Sequence, residues 1–226
     1  MKRLLSLGMV GCLAVIAIVV YFMLSTSQTL AAPTPDEVAQ QGLTSWLDSV
    51  RSSPDIKAFG FKDMSELSQV SLGKPYPVLM LTNQNVQDYR SGQKVQELAR
   101  PLDQLEYPLT VNGEARGFLT VEQFNGQWRV VALGGFPLSE KLLLYSQQNV
   151  SGSSEVYLVK VPIINGTFAV SEENGMEQMS LLASYPGLMP ELDRNGVAEY
   201  DTDIAIAAVR QAATQVVESQ QAPQGR

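Results

Sequence analysis

The densest group of oxygen ligands in this chain lies between positions 193 and 203. Asp193, Asn195, Glu199, Asp201 and Asp203 all fall in that stretch. A hard cation such as calcium takes about six to eight oxygens, and these five are the chain's candidates for supplying them. An EF-hand loop puts glycine sixth, whereas Gly196 stands fourth from Asp193. The competing reading is a polar turn followed by a helix cap, with acids complementing the positive end of the helix. We take the second reading and expect no metal ion or other cofactor. Glu172-Glu173-Asn174-Gly175 is a further acidic turn. Asp201 and Glu173 would do acid–base work only if one cleft held both and raised a pKa. Lys74, beside Tyr76, would suit an anion, although a lysine at the entry to a strand is ordinarily just solvated.

What is missing narrows the chemistry more sharply. The chain has no histidine and a single cysteine, Cys12. Ser-His-Asp triads, Cys-His pairs and histidine-zinc sites are therefore impossible within one chain. No catalytic residue is expected. The formal charge is −7, and losing Lys2 and Arg3 removes two positive charges, leaving about −9 on the remainder. Such a surface repels nucleic acid and anionic lipid headgroups, so no nucleic-acid partner is expected.

These residues must be carried somewhere. Met1-Lys2-Arg3 is a short positive start, and residues 4–24 are almost wholly apolar, with no charge until Asp36. As a helix those residues would reach about 31 Å, enough to cross the hydrocarbon core. Lys2 and Arg3 would hold the N-terminus inside. The run is longer than the roughly 7–15 residues of a secretory signal core, and Tyr21 and Phe22 lie where an interfacial belt would sit. We expect a single-pass cell-membrane anchor with the C-terminal domain on the extracytoplasmic side. The alternative is cleavage after Thr29-Leu30-Ala31, giving a secreted or periplasmic protein. Val10-Gly11-Cys12 has too few apolar residues before it for a lipid-attachment site, and Cys12 reads as a small apolar residue in lipid. The part from Pro33 onward has no cysteine, hence no disulfide. A large secreted domain without disulfides fits a bacterial envelope, where Asn149-Val150-Ser151 and Asn165-Gly166-Thr167 are simply turn residues.

The expected organisation is a signal-anchor or signal peptide plus tether over 1–32, one exported α+β domain over 33–219, and a disordered tail over 220–226. Thr34-Pro35-Asp36-Glu37 is a helix start, with a capping threonine, proline at the first turn and a glutamate that completes a capping box. Ala39, Leu43, Trp46, Leu47 and Val50 share one face, and Trp46 reads as a core anchor. Short strands follow at 67–72 and 78–82, then a helical turn over 83–90. Asn112-Gly113 and Asn125-Gly126 mark hairpins joining strands 107–111, 115–124 and 127–133. A two-residue loop at the second sets Glu122 against Arg129, Val121 against Val130 and Leu119 against Ala132. Residues 137–148 read as a helix, 155–164 and 167–170 as a hairpin around Asn165-Gly166, and 177–183 as a strand. Asp201 caps a final helix ending near Glu218. The order of helix, antiparallel strands, helix, strands and helix argues against a strictly alternating α/β fold.

The stretch Thr34 to Gly135, a helix followed by an antiparallel meander, resembles the cystatin-like or PepSY-like α+β arrangement. Leu72-Gly73-Lys74-Pro75-Tyr76-Pro77-Val78 and Leu119 to Val130 are similar to segments of exported bacterial proteins. Gln69-Val70-Ser71-Leu72-Gly73 echoes the cystatin inhibitory pattern Q-x-V-x-G, with Ser71 where the pattern has valine. The resemblance implies an inhibitory loop there, whereas the residues themselves read as a strand lead-in.

The meander is apolar on both faces. With simple alternation, Leu119, Val121, Trp128 and Val130 point one way, and Tyr107, Leu109, Phe118, Val131 and Leu133 the other. A sheet with one wet face would alternate. Either the helix after Gly135 covers the second face, or Tyr107, Phe118 and Leu133 form a patch for an envelope-protein partner, or a bulge at Gly117 resets the register. These residues describe an exported or membrane-anchored envelope domain that binds rather than catalyses. The alternatives are a small-ligand carrier, which needs an apolar pocket, and a carboxylate-based, histidine-free hydrolase.

Overall fold

A computed structural model of the protein describes residues 32–149, 155–192 and 197–221. The expected membrane run at 4–24 lies outside them, and among the described residues no helix is long and apolar enough to cross a membrane. The fold is α+β, with a nine-stranded mixed sheet among the described residues.

Helix α1 spans Pro35–Arg51. Thr34 and Glu37 close the expected capping box, each side chain meeting the other residue's backbone amide. The helix buries Ala39, Leu43 and Val50. Trp46 stacks edge-on to Phe59 and at a tilt to Phe61. Two 3-10 turns lead to β1 (Val70–Leu72) and β2 (Tyr76–Met80). Gln69 to Gly73, the stretch that echoes an inhibitory loop, is therefore largely strand. Val70 and Leu72 pair with Val111 and Leu109, and the Gly73 amide donates to the Pro108 carbonyl at 2.8 Å. A side chain at Gly73 would meet Pro108 at 2.6 Å, so only glycine lets the chain pass there.

Two short helices, α2 (Asn83–Asp88) and α3 (Val95–Leu98), precede a meander of β3 (Arg100–Val111), β4 (Glu114–Phe124) and β5 (Gln127–Gly134). Helix α4 (Phe136–Asn149) follows, then a second meander of β6 (Val156–Val161), β7 (Gly166–Glu173) and β8 (Met176–Ala183). A short β9 (Tyr200–Asp201) runs into α5 (Thr202–Gln221), which takes in two residues expected to belong to the disordered tail. The sheet order is β5-β4-β3-β2-β6-β7-β8-β9, with β1 beside β3. Each meander is antiparallel, and β2 joins them by pairing antiparallel with β3 and parallel with β6.

The hairpins form where Asn-Gly predicts. Asn112, Asn125 and Asn174 have φ of 51°, 50° and 53°, each followed by a glycine at positive φ, as a type I′ turn requires. At Asn165-Gly166 the two-residue loop is replaced by a 3-10 turn over Pro162–Ile164, ending on a left-handed Asn165.

The apolar excess of the first meander is resolved by two bulges and a helix on each side. Thr110 pairs with Ala115 but Leu109 with Gly117, leaving Arg116 as an extra residue. Gly117, at φ 150°, carries that bulge, and a side chain there would meet the Gly134 carbonyl oxygen at 2.9 Å. In β5 the extra residue is Val131, because Val121 pairs with Val130 and Thr120 with Ala132. Leu119 therefore faces Leu133, not Ala132 as simple alternation gave. The expected apolar set divides three ways. Tyr107, Leu109 and Leu133 join Leu119 and Val121 under α1. Phe118 packs with Leu142 and Tyr145 of α4 on the opposite face. Val131 is left 43% exposed at the bulge. Helix α5 covers the second meander on the α1 side, over Val159, Phe168, Val170 and Met179.

Phe118→Asp would bury a carboxylate without a partner beneath α4. The cost should be about 3 kcal/mol or more, lowering the melting temperature by about 10 °C in a domain of this size. Phe118→Leu should cost roughly half as much or less. Unchanged melting of the aspartate variant in calorimetry would contradict the burial of Phe118.

Candidate functional site

The acids that looked most like ligands hold the fold together instead. Asp203, on the first turn of α5, accepts three hydrogen bonds from the loop between α2 and α3. They come from the Tyr89 hydroxyl at 2.6 Å, the Ser91 hydroxyl and the Gly92 amide at 3.1 Å. Ser91, Tyr89 and Gly92, in that order, hold its carboxyl below the ordinary range. Burial, then Asp203, pushes the Tyr89 hydroxyl up. Arg210, two turns along α5, donates to the carbonyls of Val86, Gln87 and Tyr89 at the end of α2. One helix thus clamps the 83–92 segment from both ends. Asp201 caps α5 by accepting from the Asp203 amide at 2.8 Å.

Glu199 lies elsewhere, toward the hydroxyl of the fully buried Tyr145, which also bonds Ser171 at 2.7 Å. Burial, and then Glu173, raise the Glu199 carboxyl, while Tyr145 lowers it. Asp193 and Asn195 lie outside the described residues. Among the described residues no three acidic, histidine or cysteine side chains group to hold a metal ion. Protein donors occupy the candidate calcium ligands Asp201 and Asp203, and Glu199 is turned to a different neighbour. Asp201 and Glu173 do not meet as a pair. Asp201 lines a cavity of about 200 Å³ with Tyr89, Lys94, Met176, Glu177 and Asp203, and Glu173 is not among its walls.

Glu177 was not singled out by the sequence, and no spacing or motif marks it. It is 6% exposed. Its carboxylate accepts the Tyr157 hydroxyl at 2.5 Å, the Val95 amide at 2.5 Å and the Gln96 amide at 3.4 Å. It thereby fixes the start of α3 against β6. Burial, and then Glu177, push the Tyr157 hydroxyl well above its ordinary value.

Beyond this wall lies a cleft of about 270 Å³, whose lining includes Lys74, Tyr76, Pro77, Gln96, Glu155 and Tyr157. It opens where β2 and β6 part. Their parallel ladder covers only 78–80 against 158–160, and the Leu81 amide donates to the Lys160 carbonyl at 2.9 Å. In a parallel ladder every second residue of a strand turns its backbone to the same neighbour. Residues 81, 79 and 77 therefore face β6, and the next bond would run from an amide at 77 to the Val156 carbonyl. Residue 77 is proline and has no such hydrogen. The ladder stops there, and Pro75 keeps the lead-in extended. Tyr76 closes one side of the cleft, its hydroxyl 2.8 Å from that of Ser146 on α4. Lys74 and Glu155 are exposed at the rim. Lys74, read from the sequence as a possible anion contact, thus borders a cavity.

A third, open hollow of about 480 Å³ is bordered by Lys57, Phe61, Lys62 and Arg116. Its buried cation is already committed. Arg116 donates to Glu66 from Nε at 3.2 Å and Nη2 at 2.6 Å, and to Glu114 at 2.7 Å. Arg116 holds the Glu66 carboxyl low, and Lys62, with Arg116, brings Glu114 down to about 2.

The proposed partner patch does not form. Tyr107 and Phe118 are 2% and 3% exposed, under different helices, and Leu133 is half-buried beside α1. The Tyr107 hydroxyl instead donates to Asp36 at 2.6 Å, fixing the start of α1.

Comparison of the chain with protein-family models, with curated proteins and with solved structures gives no match.

Asp203→Asn should weaken the clamp on 89–92, and trypsin should cut after the exposed Arg90 several-fold faster at neutral pH. The native carboxyl sits below 3.8. Its contribution is therefore complete above that value and fades only as the pH falls through the lowered one. Gly92 amide exchange should accordingly be protected at pH 6 and lose that protection in acid. Equal cleavage rates for the two proteins would contradict the clamp.

Proposed function

We propose that this chain is a binding domain of a bacterial envelope, exported or held at the cell membrane by residues 4–24. Its ligand is small and enters the cleft between β2 and β6. The α1-over-meander portion, 34 to 135, is the part we read as cystatin-like or PepSY-like. The second meander and α5 extend it, and the seam between the two meanders creates the site. The observation that carries this reading is the early end of the β2–β6 ladder, which leaves a cavity inside a sheet otherwise paired on both sides. Ligand sites favour such concave, partly apolar positions with a few convergent polar groups. At about 270 Å³ it lies just under the roughly 300–1,000 Å³ of drug-sized sites, which favours a small molecule or chain end over a broad protein surface. The positive start and the almost wholly apolar run over 4–24 support the location.

Location and binding are measured separately. The chain should stay with membranes through high salt and alkaline washing, and a mature start at Ala32 or Pro33 would replace the anchor with a cleaved signal. In nitrogen-15 spectra of the full chain in nanodiscs, small-molecule fragments should shift the amides of Tyr76, Gln96, Val156 and Tyr157. Gln96→Trp, which fills the mouth from an exposed position, should abolish those shifts. Fragments that gather elsewhere, or bind the tryptophan variant equally, would reject the cleft.

A further inference from the structure

The charges at the cleft indicate which small molecules it takes. Two of its hydroxyls are already engaged, Tyr76 with Ser146 and Tyr157 with Glu177. Two opposite charges remain, Lys74 and Glu155, and neither makes an ion pair among the described residues. A third polar group follows from Pro77, because the Val156 carbonyl faces the gap without the amide that would extend the ladder. Glu155 and this adjacent carbonyl, on the β6 side of the cleft, make a place for a cation. Lys74 supplies a cation for an anion. Pro75, Pro77, Leu79 and Val156 add an apolar wall to the same cleft.

We infer that the cleft binds a small zwitterion bearing one ammonium, one carboxylate and an apolar side chain, as in a free amino acid or a short apolar peptide. The ammonium meets Glu155 and the Val156 carbonyl, the carboxylate meets Lys74, and the side chain lies on the proline–leucine wall. This assignment rests on the cleft being the binding site. A molecule lacking either charge leaves one rim group unanswered and loses a charge-assisted hydrogen bond.

Calorimetric titration of the full chain in nanodiscs tests it with four probes: phenylalanine, phenylalanyl-phenylalanine, N-acetylphenylalanine and phenylalaninamide. At least one of the first two should bind, and the blocked forms should bind about tenfold more weakly. The tighter of the first two assigns the site to free amino acids or to short peptides. The variants carry the specific readout. Lys74→Ala should erase the preference over the amide, and Glu155→Gln the preference over the acetylated form, each leaving the other preference in place. Blocked forms that bind as tightly as the zwitterions would overturn the inference while leaving the cleft as a ligand site. So would failure of all four probes while fragments still shift the cleft amides. Absence of fragment binding as well would remove both readings.

Discussion

A proline nitrogen sits where the seam of this sheet needs an amide hydrogen. The two meanders meet through β2, and on the β6 side that contact is a parallel ladder three residue pairs long. Leu81 can donate across it and Pro77 cannot. On the β3 side Pro77 stands opposite Leu105, beside a register shift, where no donation from residue 77 is asked for. Proline is thus tolerated by one neighbour and ends pairing with the other. The strands part toward Tyr76 and Val156, and the cleft is the space left between them.

So short a seam needs support, and it comes from side chains on both sides. On the α4 face, Lys160 of β6 reaches Glu106 of β3 at 3.1 Å, spanning the strand between them. Thr120 and Gln104 complete the carboxylate's set of donors at 2.7 and 3.0 Å. Glu106 is 5% exposed, and a buried carboxylate stays compatible with folding only when so partnered. Beside the cleft, Glu177 ties α3 to Tyr157 of β6. From α5, Asp203 and Arg210 hold the segment leading into α3. Carboxylates and a guanidinium thus fix this wall of the cavity within the fold itself.

Much of the local structure was legible because its causes are local. The capping box at Thr34, the left-handed asparagines of the hairpins and the helical face of α1 each depend on a few neighbouring residues. The register of β5 was not, because Val131 becomes an extra residue only in the company of Thr120 and Val121, and no residue type announces it. That shift sends Leu133 to α1 and leaves Val131 in solvent, and with the Gly117 bulge, which sets Tyr107 against Leu119 and not Phe118, it dissolves the patch drawn from strict alternation. The bulge at Gly117 had a visible reason in its glycine. The parallel β2–β6 contact joins residues about eighty positions apart, beyond the reach of any short-range pattern. For the same reason Glu177 stayed hidden, while Asp203, though noticed, was engaged by a loop about a hundred residues away. Lys74 was noticed for its charge, but the cavity beside it exists only once the seam is assembled.

The central claim is that the missing amide at residue 77 opens the cleft, and amide hydrogen exchange in Pro77→Ala tests it most directly. With the hydrogen restored, the residue 77 amide should donate to the Val156 carbonyl and exchange as slowly as the Leu79 amide in the same ladder, and the cleft should narrow. An alanine amide that exchanges at the rate of a solvent-exposed group would show that the strands part for another reason, and the account of the site would fail with it.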